Sequence, residues 1–339
     1  MTVMEPLPTT LVVTSIYPPN SVVKSLAAGC LQHGWELVLA GDRKSPAEYH
    51  VEGCRFFSLD DQIQSGFGLG RAAPVGSYTR KNLGYLEALR RGAKVIVETD
   101  DDNHPGDDFW TARRLRARCR VVARNGWVNA YQYFTEGFIY PRGLPLVAAR
   151  QVVPESCGML ELECPVQQGL ADEDPDVDAV YRMLYPLPFR FDRGAEPVVL
   201  TGGAWCPFNS QNTTFFQEVF PLLYLPACCN FRMTDIWRSF VAQRVLYAKR
   251  ECGVMFHGAT VWQERNAHDL QLDFMDELPG YQHNARLREA LAEIELGAEL
   301  STRVMMERCY ETLIRPGWVG PDEERLLTAW FEDLATVGY

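Results

Sequence analysis

The sequence is poor in histidine, with six among 339 residues, and its ten cysteines form no CxxC pair. Both shortages leave little material for a zinc framework. The cysteines are scattered, with Cys228 and Cys229 adjacent, which fits a reducing compartment rather than a disulfide scaffold. Positive charge is also in deficit. Lysine and arginine total 33 against 44 aspartates and glutamates, a formal charge of −11. That balance opposes bulk attraction to phosphates or anionic lipid, so no nucleic-acid partner is expected. The apolar run Leu11 to Ile16 falls far short of the roughly 18 residues that a membrane span needs, and no basic segment precedes it. The expectation is a cytoplasmic chain with no integral membrane segment. A Walker loop, a GxSxG elbow and a GxGxxG turn after the first strand are all missing, which argues against P-loop NTPases, α/β-hydrolases and the usual dinucleotide folds.

What is present describes a globular chain: 47% of residues are hydrophobic and 12% aromatic, enough for a large core without staples. Leu11 to Ile16 reads as a buried strand stopped by Pro18 and Pro19. Asn20 or Ser21 caps a helix to about Gln32, Gly34 closes it, and Trp35 to Ala40 is a second strand ending at Gly41-Asp42. Cys54 to Ser58 gives a third strand. A stretch with Gly66, Gly68, Gly70 and Gly76 follows, either a lid or a plain connection. Ser77 caps a helix carrying Leu83, Leu86 and Leu89, and Lys94 to Thr99 is the next strand. This alternation predicts a mostly parallel sheet with ligands beyond the carboxyl ends of its strands. From about 140 to 230 the chain is rich in Pro, Gly and aromatics and shows no clear period. Further on, a helix over 236–250, a strand at Val254 to Phe256 and helices over 285–296 and 302–313 are expected.

Five aspartates fall between Asp100 and Asp108, directly after a strand. Such charge must be solvated, paired or neutralised by a cation. Hard carboxylates suit Mg²⁺ or Mn²⁺ shared with substrate phosphates. An EF-hand is disfavoured, because Pro105 would replace the required glycine and Thr111 the bidentate Glu. The plain alternative is an acidic loop capping a helix near Asp107 or Asp108. Arg80 and Lys81, at a helix start where cations gain little, suit an anion or are simply solvated. Asp42 suits a ribose or base edge, or a turn. Asp235 is either the N-cap of its helix or a general base, with Arg238 close behind. His257 and His268 are candidates to complete a metal site, or structural residues. Asn209, within Cys206 to Asn212, suits polyol recognition or a polar turn. The arginines at 113, 114, 116, 118, 120 and 124 suit an acidic acceptor or, more simply, read as a solvated helix face.

Taken together, five ordered segments resemble the STELLO-like glycosyltransferase family. They are Val13 to Pro19, Gly41 to Pro46, Ser77 to Tyr85, Glu98 to Asn103, and Asp235 to Ser239 with Gln243-Arg244. The resemblance implies an α/β, GT-A-like Rossmann-type mixed sheet with flanking helices and a helical C-terminal extension. It divides the chain into a catalytic domain over 1–275, with a nucleotide and metal half at 10–135 and an acceptor half at 136–275, and an extension over 276–339. It implies a nucleoside diphosphate sugar donor, a glycan or other hydroxyl acceptor, and Mn²⁺ or Mg²⁺. Thr14, Ser15 and Asp42 would lie near the nucleoside, Arg80 and Lys81 near the diphosphate, Asp100 and Asp102 at the metal with Asp101 beside the substrate, and Asp235 as the base of an inverting transfer. Plant members carry a membrane anchor and a further domain, for which no counterpart is expected here. Gln168 to Asp172 and Pro175 to Ala179 also resemble the reversibly glycosylated proteins, some of them nucleotide-sugar mutases, which keeps a mutase as one alternative. A non-catalytic binding or scaffold protein on the same fold is another.

Overall fold

A computed structural model describes residues 7–250, 252–264 and 269–339. Its strands in chain order are β1 (Thr9–Thr14), β2 (Glu36–Ala40), β3 (Cys54–Phe57), β4 (Val95–Thr99), β5 (Asn103–Pro105), β6 (Arg116–Ala123), β7 (Gly126–Trp127), β8 (Met159–Glu163), β9 (Val166–Asp172), β10 (Val198–Thr201), β11 (Ala204–Trp205), β12 (Asn212–Phe216) and β13 (Cys252–Gln263). The helices are α1 (Ser21–His33), α2 (Leu59–Gln64), α3 (Gly68–Ala72), α4 (Lys81–Arg90), α5 (Leu146–Ala149), α6 (Ala179–Leu184), α7 (Thr234–Lys249), α8 (Leu270–Glu293), α9 (Thr302–Ile314) and α10 (Glu323–Thr336).

The first hundred residues fold as their pattern dictates. Leu11, Val12 and Val13 are fully buried, each contributing about 1.5 to 3 kcal/mol of transfer free energy. Asn20 caps α1 by accepting from the Val23 amide, and Gly34 ends it in the left-handed conformation at φ 68°. Gly84 lets α4 lie directly on β1, since a Cβ there would come within 2.8 Å of Val12 Cγ1. Strands β3, β2, β1 and β4 are therefore parallel neighbours.

Beyond β4 the sheet is mixed, in the order β3-β2-β1-β4-β12-β9-β13-β10-β6-β8, with β5 against β13. Strand β12 runs antiparallel to β4, with Asn212 opposite Thr99. It therefore starts where β4 ends, which sets residues 209–211 beside Asp100. The strand read as Val254 to Phe256 is the twelve-residue β13. Of the arginine-rich stretch, Arg116, Arg118 and Arg120 lie in β6 rather than on a helix face.

The glycine-rich segment is not a loose lid. It carries α3, and a Cβ on Gly70 would meet the carbonyl oxygen of Gln62, at the end of α2, at 2.1 Å. The C-terminal helices join the same core: Leu287, Leu291, Met305, Leu313 and Trp330 are buried with the central sheet residues. Helix α8 begins fifteen residues before the expected start at 285, and position 275 lies inside it. Among the described residues no helix is long and apolar enough to cross a membrane.

Candidate active-site cleft

The carboxyl ends of β1, β2 and β4, the start of β12 and the first turn of α7 enclose a cleft of about 390 Å³. Of the residues singled out from sequence, Thr14, Ser15, Asp42, Arg80, Asp100, Asp101, Asp102, Asn209 and Asp235 line it. They come from six separate segments, gathered because strand ends are where this topology opens.

Each aspartate after β4 is held differently. Asp100 Oδ1 accepts from Tyr78 Oη at 2.8 Å and Lys81 Nζ at 3.1 Å. Asp101 Oδ2 accepts from Ser15 Oγ at 2.5 Å, while its carbonyl is held by Asn20 Nδ2 at 2.7 Å. Asp102 Oδ2 accepts from Gln263 Nε2 at 2.9 Å. Burial, and then the Asp100 charge, push the Asp102 carboxyl up to about 7; burial likewise raises Asp101. Asp42 accepts from the Ser77 amide at 2.8 Å, tying the end of β2 to the turn before α4. Asn209 is buried, its amide donating to Gln168 Oε1 at 2.9 Å and its Oδ1 accepting from the Gln211 amide at 3.0 Å.

Asp235 does not act as the N-cap. Met233 occupies that position without a side-chain bond, and Asp235 sits one residue inside the helix. Its carboxylate takes both oxygens to Arg142 Nη2, at 3.1 and 2.9 Å, and accepts from the Ser210 amide at 3.3 Å. Arg142 is fixed in turn by Asp176, at 2.7 and 3.0 Å, and by the Arg232 carbonyl. Burial works against the Arg142 charge, but Asp176 and Asp235 hold its pKa well above the ordinary guanidinium value.

Four expected site residues turn out to be placed for other work. The Arg80 guanidinium donates to the carbonyls of Gly70, Ala73 and Pro74 and to Gln62 Oε1, so it ties down the segment before α4 instead of reaching for an anion. Lys81 is fully buried, its Nζ bonded to Tyr78 Oη, Thr99 O, Asp100 Oδ1 and Ser210 O; it is a counter-charge beneath Asp100. Arg238 lies under the cleft in a fully buried bidentate pair with Glu98, at 2.6 and 3.0 Å, beside Tyr85. His257 does not line the cleft. Its Nδ1 lies 3.0 Å from the Gly258 carbonyl, burial lowers its pKa to about 4, and it pairs with Gly169 in the sheet, six residues back along β13 from Gln263. His268 lies outside the described residues.

The cleft also contains residues that the sequence reading missed: Tyr78, Arg142, Gln263 and the exposed rim side chains Lys44 and Phe231. Arg142 gave no periodic signal. Arg238 was open to a better reading, since Glu98 inside the apolar strand Val95–Thr99 demands a buried cation, which Arg238 supplies.

A divalent cation fits the turn at Asp100 to Asp102. Six carboxylates line the cleft, those of Asp42, Asp100, Asp101, Asp102, Asp176 and Asp235, against Lys44, Arg80, Arg142 and Arg232. Arg142 is committed to Asp176 and Asp235, and Arg232 to Glu277. That leaves the three consecutive aspartates with Lys81 as their ion-pair partner among the described residues. No cluster of three His, Cys, Asp or Glu side chains forms a ready cage among the described residues. An ion there would complete its shell with substrate oxygens and water, as Mg²⁺ and Mn²⁺ commonly do.

Fold and cleft together define an α/β protein with a mixed sheet and an acidic pocket at its strand ends. Residues 232–339 match the family model described as STELLO glycosyltransferases. The chain is 28% identical over 338 residues to Probable glycosyltransferase STELLO2 of Arabidopsis thaliana, covering 90% of this chain and 42% of that protein. It is 27% identical over 363 residues to Probable glycosyltransferase STELLO1 of the same organism, covering 97% of this chain and 44% of that protein. The chain is thus similar to STELLO glycosyltransferases, and it spans less than half the length of the two curated relatives.

Proposed function

We propose that this chain transfers a sugar from a nucleoside diphosphate sugar to a hydroxyl acceptor, with Mn²⁺ or Mg²⁺ bound and with inversion at the anomeric carbon. The observation carrying the proposal is that the strand-end aspartates and Asp235 line one cleft with Thr14, Ser15 and Asp42. Asp100 and Asp102, with Asp101 behind them, are the residues that would hold the ion. When bound, the ion supplies charge neutralisation for the departing diphosphate. Thr14, Ser15 and the Asp42 region would orient the nucleoside. Asp235 takes the proton of the attacking hydroxyl, and Arg142 and the Ser210 amide keep its carboxylate aimed and desolvated. Arg80 and Lys81 are bonded to the protein itself, so the charge of a diphosphate would be met mainly by the metal, with Lys44 at the rim.

A thermal-shift screen of nucleoside diphosphates and sugar nucleotides, in Mn²⁺ and in EDTA, tests the donor and the metal together. A ligand at one hundred times its dissociation constant stabilises by about 2.7 kcal/mol. Stabilisation is expected only with the cation present. Equal shifts in EDTA remove the metal, and no shift from any nucleotide removes the donor. A product retaining the donor's anomeric configuration would remove Asp235 as the base.

A further inference from the structure

Two hydroxyls not used in that reaction join its two acidic centres. Tyr78 Oη lies 2.8 Å from Asp100 Oδ1 and 2.6 Å from Ser210 Oγ, and Ser210 Oγ lies 3.4 Å from Asp235 Oδ2. Lys81 Nζ donates to Tyr78 Oη at 2.7 Å and takes up one of its lone pairs. Each hydroxyl carries a single hydrogen, so two hydrogens serve three links. The contact between the two hydroxyls is the shortest and needs one of those hydrogens. Only two arrangements remain. Either Tyr78 donates to Asp100 and Ser210 to Tyr78, or Tyr78 donates to Ser210 and Ser210 to Asp235. One carboxylate at a time receives a hydroxyl hydrogen, and the shorter contact, 2.8 Å against 3.4 Å, favours Asp100.

Resting on the cation and base assignments above, we infer that Tyr78 and Ser210 couple occupancy of Asp100 by a divalent cation to the charge state of Asp235. A cation on Asp100 Oδ1 would displace the Tyr78 hydrogen, both hydroxyls would rotate, and Ser210 would donate to Asp235. When Asp235 has taken the acceptor's proton it has lost its charge and attracts Ser210 less. Both hydroxyls then turn back to Asp100 and compete with the cation, loosening its hold with the diphosphate product. No covalent bond breaks in the switch: the transferred proton stays on Asp235, and the hydroxyl hydrogens move only by rotation about their C–O bonds. Arg142 on Asp235 and Lys81 on Asp100 fix the two ends.

The test is a double-mutant cycle on the affinity of the full chain for Mn²⁺ alone, measured by calorimetry. Asp235→Asn removes the charge that draws Ser210. It should weaken Mn²⁺ binding about 3- to 10-fold more in the native background than in Tyr78→Phe, the range of one hydrogen bond. Ser210→Ala should abolish the same difference while leaving the Ser210 amide in place. Tyr78→Phe keeps the ring against Phe231, 6.0 Å between centroids, and Ser210→Ala carries the cycle by itself if that variant fails to fold. An equal effect of Asp235→Asn in all backgrounds overturns the coupling but leaves the metal site standing. Absence of Mn²⁺ binding to the native chain also overturns the coupling, while the metal's part in donor binding stands or falls with the nucleotide screen in Mn²⁺ and EDTA.

Discussion

The cleft contains two acidic groups, and the chain treats them in opposite ways. Asp176 and Asp235 share Arg142, a buried guanidinium bonded to both. The three aspartates after β4 share one lysine, bonded to Asp100, while Asp102 is pushed up to about 7 by burial and by Asp100. A folded chain can neutralise an acid internally or leave the task to something from solution. Internal neutralisation gives a fixed geometry, which suits a residue that must point at a substrate proton. Incomplete neutralisation leaves a place that suits a counter-ion from outside the chain.

The first way to break this contrast is Asp235→Asn. If the paired site holds the base, turnover should fall by roughly 10² to 10⁴ while the melting temperature stays close to native, because Arg142 keeps Asp176. Wild-type turnover in a direct transfer assay would reduce Asp235 to a structural acid. The next largest effect is on stability. Arg142→Met removes the guanidinium shared by buried Asp235 and half-buried Asp176, and denaturant unfolding should show a loss of about 3 to 5 kcal/mol.

Arg80→Met sharpens the contrast from the other wall. Losing charge-assisted bonds to the carbonyls at 70, 73 and 74 should cost about 2 to 3 kcal/mol of stability. Calorimetry should show nucleoside and nucleoside diphosphate affinities falling together. A loss confined to the diphosphate would return Arg80 to an anion-binding role.

The smallest effect concerns an acid without a cation of its own. Asp178 caps α6, accepting from the Tyr181 amide at 2.7 Å and from Tyr140 Oη at 3.0 Å, and its other oxygen is buried with no hydrogen-bond partner among the described residues. Burial, opposed by the Tyr181 amide and aided by Glu277, pushes its pKa up to about 6. A raised carboxyl pKa means the folded state holds the proton more tightly than the unfolded chain. The stability this gives is complete below the ordinary carboxyl range and is lost as pH rises through about 6. Asp178→Asn keeps the cap and removes the charge. Thermal melts should show it about 1 kcal/mol more stable than native at pH 8 and no more stable at pH 4. A parallel pH dependence in both proteins would show that Asp178 is not the group responsible.

The legible parts of the sequence were those in which local chemistry and tertiary structure agree. Asn20, Gly34 and the apolar strands fixed the parallel half, and the aspartates announced themselves at a strand end. The region around β9 and β12 was illegible for a physical reason. All seven residues of β9 are buried, yet they include Gln167, Gln168 and Asp172. Gln168 Oε1 accepts from the Asn209 amide and Thr213 Oγ1, so polar groups from distant strands satisfy each other and imitate a loop in one dimension. Strand β6 was legible in principle. Arg116, Arg118 and Arg120 alternate with Ala117, Cys119 and Val121, a period of two that the sheer density of arginines disguises as a helix face. Nothing nearby in sequence ties Arg142 to Asp235, and only the fold brings them together. Pro279 and Gly280 hid the first half of α8, although Gly280 gives Met233 the room to pack against it.

Helix α10 bears on how the protein is made. Asp333 accepts from the amides of Gly68 and Leu69, at 2.6 and 2.9 Å, and so anchors the segment that Arg80 grips. Glu323, on the same helix, accepts from the amides of Ala227 and Cys228, at 2.9 and 2.7 Å, just ahead of the turn leading to Asp235. Both walls of the cleft thus hang from one helix that follows them in the chain, and Asp333 comes 265 residues after its partner Gly68. At about 5 to 20 residues per second on the ribosome, that separation corresponds to some tens of seconds. Until α10 emerges, a nascent chain can form its parallel sheet but cannot fasten the walls around it. The cleft is completed only once α10 has followed α7 out, so a growing chain that stops short of α10 has no finished pocket.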